Sequence, residues 1–243
     1  MLTKATLKLV KRLQQKKYRK ELGLFVVEGR KSTDEFLASD FKLIHLFVST
    51  DYKEMYPQAD IASSAEFKQM SNLRTPPEIL AVFEQKSYDL PTEINKSYFA
   101  LDNVKDPGNL GTIIRIADWF GMEYVFCNLD TVEVYNPKVV QACMGSLGRI
   151  QVHYVDFETY FKELDCEIYG TFMEGDSIYS TKLTKPGLIV MGNESNGISA
   201  QIEELCTQKI SIPQETNRPT ESLNVAVASA MISSEIFRQK LTS

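Results

Sequence analysis

Leu188–Gly197, LIVMGNESNG, is the stretch on which the reading of this chain turns. Leu188, Ile189, Val190 and Met191 make a short apolar run of the kind used by a strand buried on both faces. The run breaks into a loop bounded by Gly192 and Gly197 that carries Asn193, Glu194 and Asn196. A strand ending in such a loop presents backbone N–H groups and one carboxylate at the carboxyl edge of a sheet, where open α/β sheets hold their ligands. The same residues also suit a plain strand-to-helix turn, with glycine supplying positive φ and asparagine the turn. Other stretches decide between the two.

Working outward, strand-like runs at Tyr98–Leu101, Tyr124–Cys127, Arg149–Val155, Glu167–Phe172 and Lys209–Ile212 alternate with helical patterns. One helix runs from Leu110 to Phe120 and stops at Gly121; another is opened by Asn136-Pro137; Asp156 caps FETYFKEL, and Ser199 caps a short helix to Cys206. Strands and helices in alternation specify an α/β fold with a mostly parallel sheet covered on both faces. Upstream, Leu24–Val27, Leu43–Val48 and Ile79–Phe83 alternate with helical segments as a small α/β sandwich. The polar stretch QKSYDLPTEINK, residues 85–96, reads as the linker, giving domains at 1–88 and 97–243. At the far end a polar loop, Pro213–Glu221, precedes a helix over Ser222–Lys240 that begins apolar on nearly every face. Such a helix is buried, so Asn224 near its start is expected to be buried or at a site, and a buried asparagine must find partners.

Composition narrows the chemistry. The 243 residues, 43% hydrophobic and 24% charged, are those of an ordinary globular protein with a sizeable core. No apolar run reaches transmembrane length and MLTKATLKLVKRLQQKK is too charged for a secretory signal, so a cytoplasmic protein without membrane contact is expected. Cys127, Cys143, Cys166 and Cys206 lie far apart, and His45 and His153 sit in apolar or alternating runs. These spacings exclude the usual zinc sites and leave thiol or histidine catalysis poorly supported, so chemistry without a metal is expected. Neither GxGxxG nor GxxxxGK[ST] occurs, which removes the common phosphate cradles. The net charge of −5 is uneven: Lys4, Lys8, Lys11, Arg12, Lys16, Lys17, Arg19 and Lys20 crowd the first twenty residues with no acid among them. The pattern fits a helix over Thr3–Lys20, with Leu7, Val10 and Leu13 as its apolar stripe, that either meets a polyanion or is simply solvated.

Three polar clusters therefore fall at strand ends of one domain: Asn109 with Arg115, Asn193 to Gly197, and Ser222 with Asn224. NVKDPGNLGTIIRIA (Asn103–Ala117), IVMGNESNGI (Ile189–Ile198) and ISIP followed by ESLNVAVASA (Ile210–Ala230) resemble, in order, the three motifs of the SpoU-type, or TrmH-like, RNA 2′-O-ribose methyltransferases of the SPOUT superfamily. LFVVEGRKSTDEFL is similar, less specifically, to the ribosomal-protein-like RNA-binding domain that often precedes that catalytic domain.

The resemblance implies a C-terminal trefoil knot, a homodimer, S-adenosyl-L-methionine as cofactor, and methyl transfer to a ribose 2′-hydroxyl of structured RNA; between rRNA and tRNA, ribosomal RNA is the expectation, and the sequence itself leaves the two open. It implies catalytic roles for Asn109, Arg115, Glu194, Ser222 and Asn224. Cofactor contacts fall to Gly192, Asn193, Gly197, Ile212 and Leu223. Because a guanidinium does not deprotonate in proteins, Arg115 reads as a clamp that stabilises developing negative charge rather than as a base. Ala226 stands where the third motif often has serine, and the Pro213–Ser222 loop carries Arg218 and Pro219 without an expected glycine. A non-catalytic RNA-binding protein of the same fold is the alternative, although a relict should have lost some of the five polar residues. A small-molecule α/β enzyme would leave the basic head unexplained.

Overall fold

The computed structural model describes residues 1–215, 219 and 222–242, so Arg218 lies outside the described residues. In chain order the elements are α1 (Lys4–Arg12), α2 (Lys16–Leu22), β1 (Leu24–Glu28), α3 (Arg30–Leu37), β2 (Leu43–Val48), β3 (Asp60–Ile61), α4 (Ser64–Met70), β4 (Ile79–Glu84), β5 (Ser97–Leu101), α5 (Pro107–Trp119), β6 (Tyr124–Asn128), α6 (Pro137–Cys143), β7 (Gln151–Val155), α7 (Phe157–Glu163), β8 (Glu167–Ser177), β9 (Gly187–Met191), α8 (Ala200–Glu203), β10 (Gln208–Ser211) and α9 (Val225–Leu241). They form two units: Met1–Ser87 with Glu133–Gly148, and Tyr88–Val132 with Arg149–Ser243.

The first unit is a four-stranded sheet in the order β1-β4-β2-β3. The period-two alternation of its strands sends side chains to two different layers. Val26, Phe47, Leu80 and Val82 pack with Val10 and Leu13 of the N-terminal segment and Phe67 and Met70 of α4. On the other side Phe25, Phe36, Phe41 and Phe83 form an edge-to-face and tilted aromatic cluster that Tyr135 joins, its ring 4.6 Å from that of Phe25. Tyr135 explains why Glu133–Gly148 belongs here although it lies between β6 and β7 in sequence. A linear division at residues 88 and 97 does not contain this excursion. Local periodicity carries no signal for it.

The single helix expected over Thr3–Lys20 is two. Leu13, Gln14 and Gln15 interrupt it, and Gln15 is extended at φ −105°. No proline or glycine marks the break. Its physical cause is Arg19, 2% exposed, whose Nη1 donates to the Leu13 carbonyl at 2.9 Å while Nε and Nη2 grip both carboxylate oxygens of Glu133 at 3.0 and 2.7 Å. Arg19 is thus a buried structural pin and drops out of the basic face.

The second unit is a six-stranded sheet in the order β10-β8-β9-β5-β6-β7, with every neighbouring pair parallel. Its central strands, SYFAL and GLIVM, are buried throughout, as strands covered on both faces must be. From β5 the chain steps outward to β6 and β7, crosses to β8, and returns with β9 beside β5. The order therefore breaks between β5 and β9, and ligands of open α/β sheets lie outside the carboxyl ends at such a break. Strand β8 runs on to Ser177, five residues past its expected end at Phe172, and meets β10 through a register shift between Lys209 and Ile210. No helix among the described residues is long and apolar enough to cross a membrane, and none of their His, Cys, Asp and Glu side chains group as a metal site. None of the four cysteines forms a disulfide among the described residues, and His153 is buried in an aromatic cluster, stacked on Phe126 at 5.5 Å.

Candidate active site

Helix α5 begins where β5 ends. Asp106 caps it, accepting from the Asn109 backbone N–H at 2.8 Å, and Pro107 sits in its first turn, where a missing N–H costs nothing. This cap fixes the first turn and so the Asn109 side chain. Its Nδ2 donates to Glu194 Oε1 at 2.9 Å, and its Oδ1 accepts from Asn224 Nδ2, also at 2.9 Å.

Glu194 is placed by a loop that closes on itself. The backbone groups of Asn193 and Gly197 exchange two hydrogen bonds of 2.9 Å, with Gly197 at φ 70°. A Cβ on Gly192 would overlap the backbone of Gly197 and Ile198, so only glycine fits there. Asn193 Oδ1 accepts from the N–H groups of Ser195 and Asn196, an Asx turn, and its Nδ2 reaches the Asn103 carbonyl at 2.8 Å. The Glu194 carboxylate then accepts from the backbone N–H groups of Lys105 and Asp106 at 3.4 and 3.3 Å. Partial burial alone would raise its pKa, but donation by Asn109 and by the backbone N–H groups of Glu194, Lys105 and Asp106 outweighs burial and holds the carboxyl below the usual range. Glu194 is accordingly an anion that orients its donors.

Asn224 is the N-cap of α9, and its Oδ1 accepts from the Ala226 and Val227 N–H groups at 2.9 and 3.3 Å. The sequence placed Asn224 inside a helix starting at Ser222; the helix starts one residue after Asn224 instead. The residue is exposed at the carboxyl edge of the sheet, and its amide completes the series Glu194–Asn109–Asn224. Three segments far apart in sequence therefore meet through three side chains. Ser222 and Leu223 are exposed and directly precede this cap, and Ile212 follows β10 at the same edge. Arg115 stands apart: it is exposed on α5, six residues beyond Asn109, and does not join this hydrogen-bonded series.

Four residues at the site escaped sequence reading. Lys105 acts on Glu194 through its backbone N–H, which has no residue signature, and Asp106 through its N–H as well as its capping carboxylate, whereas Asp102 and Asn128 act through side chains. Asp102, 2% exposed, accepts from Asn128 Nδ2 at 2.7 Å and from Ser199 N and Oγ at 2.7 and 2.8 Å. The only sequence signal for Asp102 was an acidic residue directly after an apolar strand. Ser199 was expected to cap α8 with its hydroxyl, which goes to Asp102 instead.

An open parallel sheet with an amide-and-carboxylate site at the break in its strand order and no glycine-rich phosphate loop defines a ligand-binding α/β protein outside the dinucleotide-binding and P-loop classes. The profile of the SpoU rRNA Methylase family matches residues 96–234, and that of the MRM3-like substrate binding domain matches residues 4–81. The chain is 30% identical over 231 residues to the 23S rRNA (guanosine(2553)-2′-O)-methyltransferase RlmP of Bacillus subtilis, covering 91% of this chain and 92% of that one. Among solved structures, a protein of Porphyromonas gingivalis assigned to the TrmH family of RNA methyltransferases superposes with a TM-score of 0.89 at 34% identity, covering 98% of this chain and 99% of that one. An S-adenosylmethionine-bound rRNA methyltransferase of Sinorhizobium meliloti superposes with a TM-score of 0.88 at 27% identity, over 100% and 97% of the two chains. This chain belongs to the SpoU rRNA Methylase family, with a substrate-binding domain at its N-terminus.

Proposed function

We infer that this protein transfers the methyl group of S-adenosyl-L-methionine to a ribose 2′-hydroxyl of ribosomal RNA. The observation that carries the reading is the hydrogen-bonded series Glu194–Asn109–Asn224, which ties the three family motifs into one constellation. A relict RNA-binding protein has no need to keep it.

The residues present suit the cofactor. Asn193 and the backbones of Gly192, Gly197, Ile212 and Leu223, at the carboxyl edge, are the groups that would hold it. Amides, a carboxylate and backbone groups, without a phosphate cradle, match a ligand that brings its own positive sulfonium and no phosphate. When bound, that cofactor supplies an already electrophilic methyl group, so the work left to the protein is positioning and charge stabilisation. Glu194, saturated with donors, orients the Asn109 amide. Asn109 and Asn224, with Ser222 beside them, form the polar wall that directs the ribose hydroxyl. Arg115, exposed and outside the series, is free to clamp an RNA phosphate and stabilise charge growing on the 2′-oxygen.

The exposed lysines of α1 and α2, with Lys4, Lys8, Lys11, Lys16, Lys17 and Lys20 carrying the charge, supply the RNA-facing surface of the first unit. A homodimer belongs to the same reading. Its support is the apolar surface left exposed on the packed pair α5 and α9: Trp119 (84%), Val227 (50%), Phe237 (45%) and Leu241 (72%). The knotted threading of the C-terminal segment is supported by Gln239 of α9, which accepts from the Leu183 N–H and donates to the carbonyls of Ile178 and Thr181. A cytoplasmic location completes the picture.

The decisive experiment incubates the purified protein with methyl-labelled cofactor and ribosomal RNA from a strain lacking the gene, then maps 2′-O-methyl positions. One new site on 23S-type RNA is expected. Cofactor binding absent by calorimetry, together with no label in any RNA, would sink the assignment.

A further inference from the structure

We propose that Asp102 is a positioning residue for methyl transfer: one buried carboxylate fixes both ends of the loop that presents Glu194. The proposal rests on the methyltransferase reading and adds to it a residue outside the five polar positions of the motifs.

Asp102 follows β5 directly, and its N–H extends the sheet by donating to the Met191 carbonyl at 2.8 Å. Its two oxygens then work in opposite directions. Oδ2 takes the backbone N–H and the hydroxyl of Ser199, pinning the far end of the Gly192–Ser199 loop. Oδ1 takes Asn128 Nδ2 at 2.7 Å and thereby orients the Asn128 amide, whose Oδ1 accepts from the Asn103 N–H at 3.0 Å. Asn103 is held at φ 65°, a left-handed conformation that a non-glycine residue adopts only where something holds it. In that conformation its carbonyl accepts from Asn193 Nδ2 at 2.8 Å, pinning the near end of the same loop. The hydrogen bonds thus run from Asp102 through Asn128, Asn103 and Asn193 on one side and through Ser199 on the other, and Glu194 lies between the two anchors.

The residue types are those the geometry needs. Three donors converge on Asp102, which as a carboxylate has only acceptors to offer. No cation pairs with it among the described residues, so these donors alone offset the desolvation of a charge that is 2% exposed. An amide in its place would turn an N–H₂ group toward either Asn128 Nδ2 or the Ser199 N–H, and one of the two anchors would be lost. A full exchange, Asp102→Asn with Asn128→Asp, restores every bond. The amide introduced after β5 then donates to the carboxylate introduced at the end of β6, and its oxygen accepts from Ser199. That carboxylate in turn accepts from the Asn103 N–H.

The test compares wild type, D102N, N128D and the D102N/N128D exchange by single-turnover methyl transfer, by cofactor affinity, and by hydrogen exchange of the Ser199 and Asn103 amides. D102N should lower the transfer rate about 10- to 100-fold, the loss expected of a loop misplaced by about 1 Å, with thermal unfolding cooperative and RNA affinity unchanged. The exchange should recover the rate to within about threefold, because it repairs the geometry at the cost of moving the charge. Faster exchange at Ser199 and Asn103 in D102N, reversed in the double variant, reads the anchoring even if no methyl is transferred. Wild-type protein that transfers no methyl to any RNA refutes the enzyme assignment, whereas D102N with a wild-type rate, or an exchange variant that is folded, binds cofactor and stays as slow as D102N, overturns the role given to Asp102.

Discussion

Asn109 and Glu194, 85 residues apart in sequence, meet through one hydrogen bond of 2.9 Å, and the other face of the Asn109 amide is taken by Asn224. Because a planar amide cannot satisfy both partners after a flip, Glu194 fixes which face Asn109 turns toward Asn224. Removing Glu194 therefore disables Asn109 as well. Glu194→Ala and Asn109→Ala should each lower the methyl-transfer rate by about two orders of magnitude, and the double variant should be no more than about threefold slower than either. Single-turnover rates on a fixed RNA substrate check this; fully multiplicative losses would show that the two side chains act separately.

Arg115 gives a different signature. It is exposed and lies outside the Glu194–Asn109–Asn224 series, so losing it should leave the cofactor loops undisturbed. Arg115→Ala should slow methyl transfer at least about 100-fold, the scale of removing one donor to developing charge, with cofactor affinity by calorimetry within about twofold of wild type. Arg115→Lys should recover little, because a point ammonium cannot reproduce a two-pronged grip on phosphate and oxygen.

Legibility in the sequence followed the range of the interactions. The parallel sheet was readable because β5 and β9 are unbroken apolar runs, and the meeting of the segments that carry Asn109, Glu194 and Asn224 could be anticipated because three polar clusters fell at strand ends, whereas the Lys105 and Asp106 N–H groups that also hold Glu194 could not. What stayed hidden depends on interactions between distant residues. The break between α1 and α2 exists because the Arg19 guanidinium takes the Leu13 carbonyl, in a stretch of good helix formers. Glu133–Gly148 joins the first unit because Tyr135 completes an aromatic cluster by packing on Phe25, 110 positions earlier. Asp102 looked like any acid at a strand end, since nothing local distinguishes a carboxylate with three donors from a solvated one.

The basic N-terminal segment calls for charge reversal rather than truncation. Deleting Met1 to Lys20 removes Val10 and Leu13 from the core and leaves Glu133 without Arg19, so it tests stability and RNA binding together. Arg19→Ala alone should destabilise the first unit by about 3–5 kcal/mol, the range for breaking one side of a buried ion pair, and denaturant unfolding would register it. Lys4→Glu, Lys8→Glu and Lys11→Glu, all exposed on α1, should leave unfolding unchanged and weaken RNA binding. The slope of log affinity against log salt should flatten by about 0.7–0.9 for each RNA phosphate that is no longer neutralised. An unchanged slope would remove α1 from the RNA-binding surface.

Glu235 links the last helix to pH. Its carboxylate accepts from Arg238 Nε and Nη2 at 2.8 and 2.7 Å and from Gln239 Nε2 at 2.8 Å. The Arg238 hydrogen bonds, then that of Gln239, push its pKa down from 4.5 to about 2 against the opposing effect of burial. A carboxyl whose folded pKa is depressed stabilises the fold fully above its unfolded value and loses that contribution as pH falls through the folded one. The stabilisation should therefore be intact at neutral pH and fade as pH drops from 4.5 to about 2. It extends beyond Glu235 because Gln239, oriented by the same carboxylate, satisfies the backbone of Ile178, Thr181 and Leu183. Glu235→Gln should lower the melting temperature at neutral pH, and the gap to wild type should close through that acid window. A gap constant with pH would mean that the ionised carboxylate contributes nothing and that Gln239 holds the loop unaided.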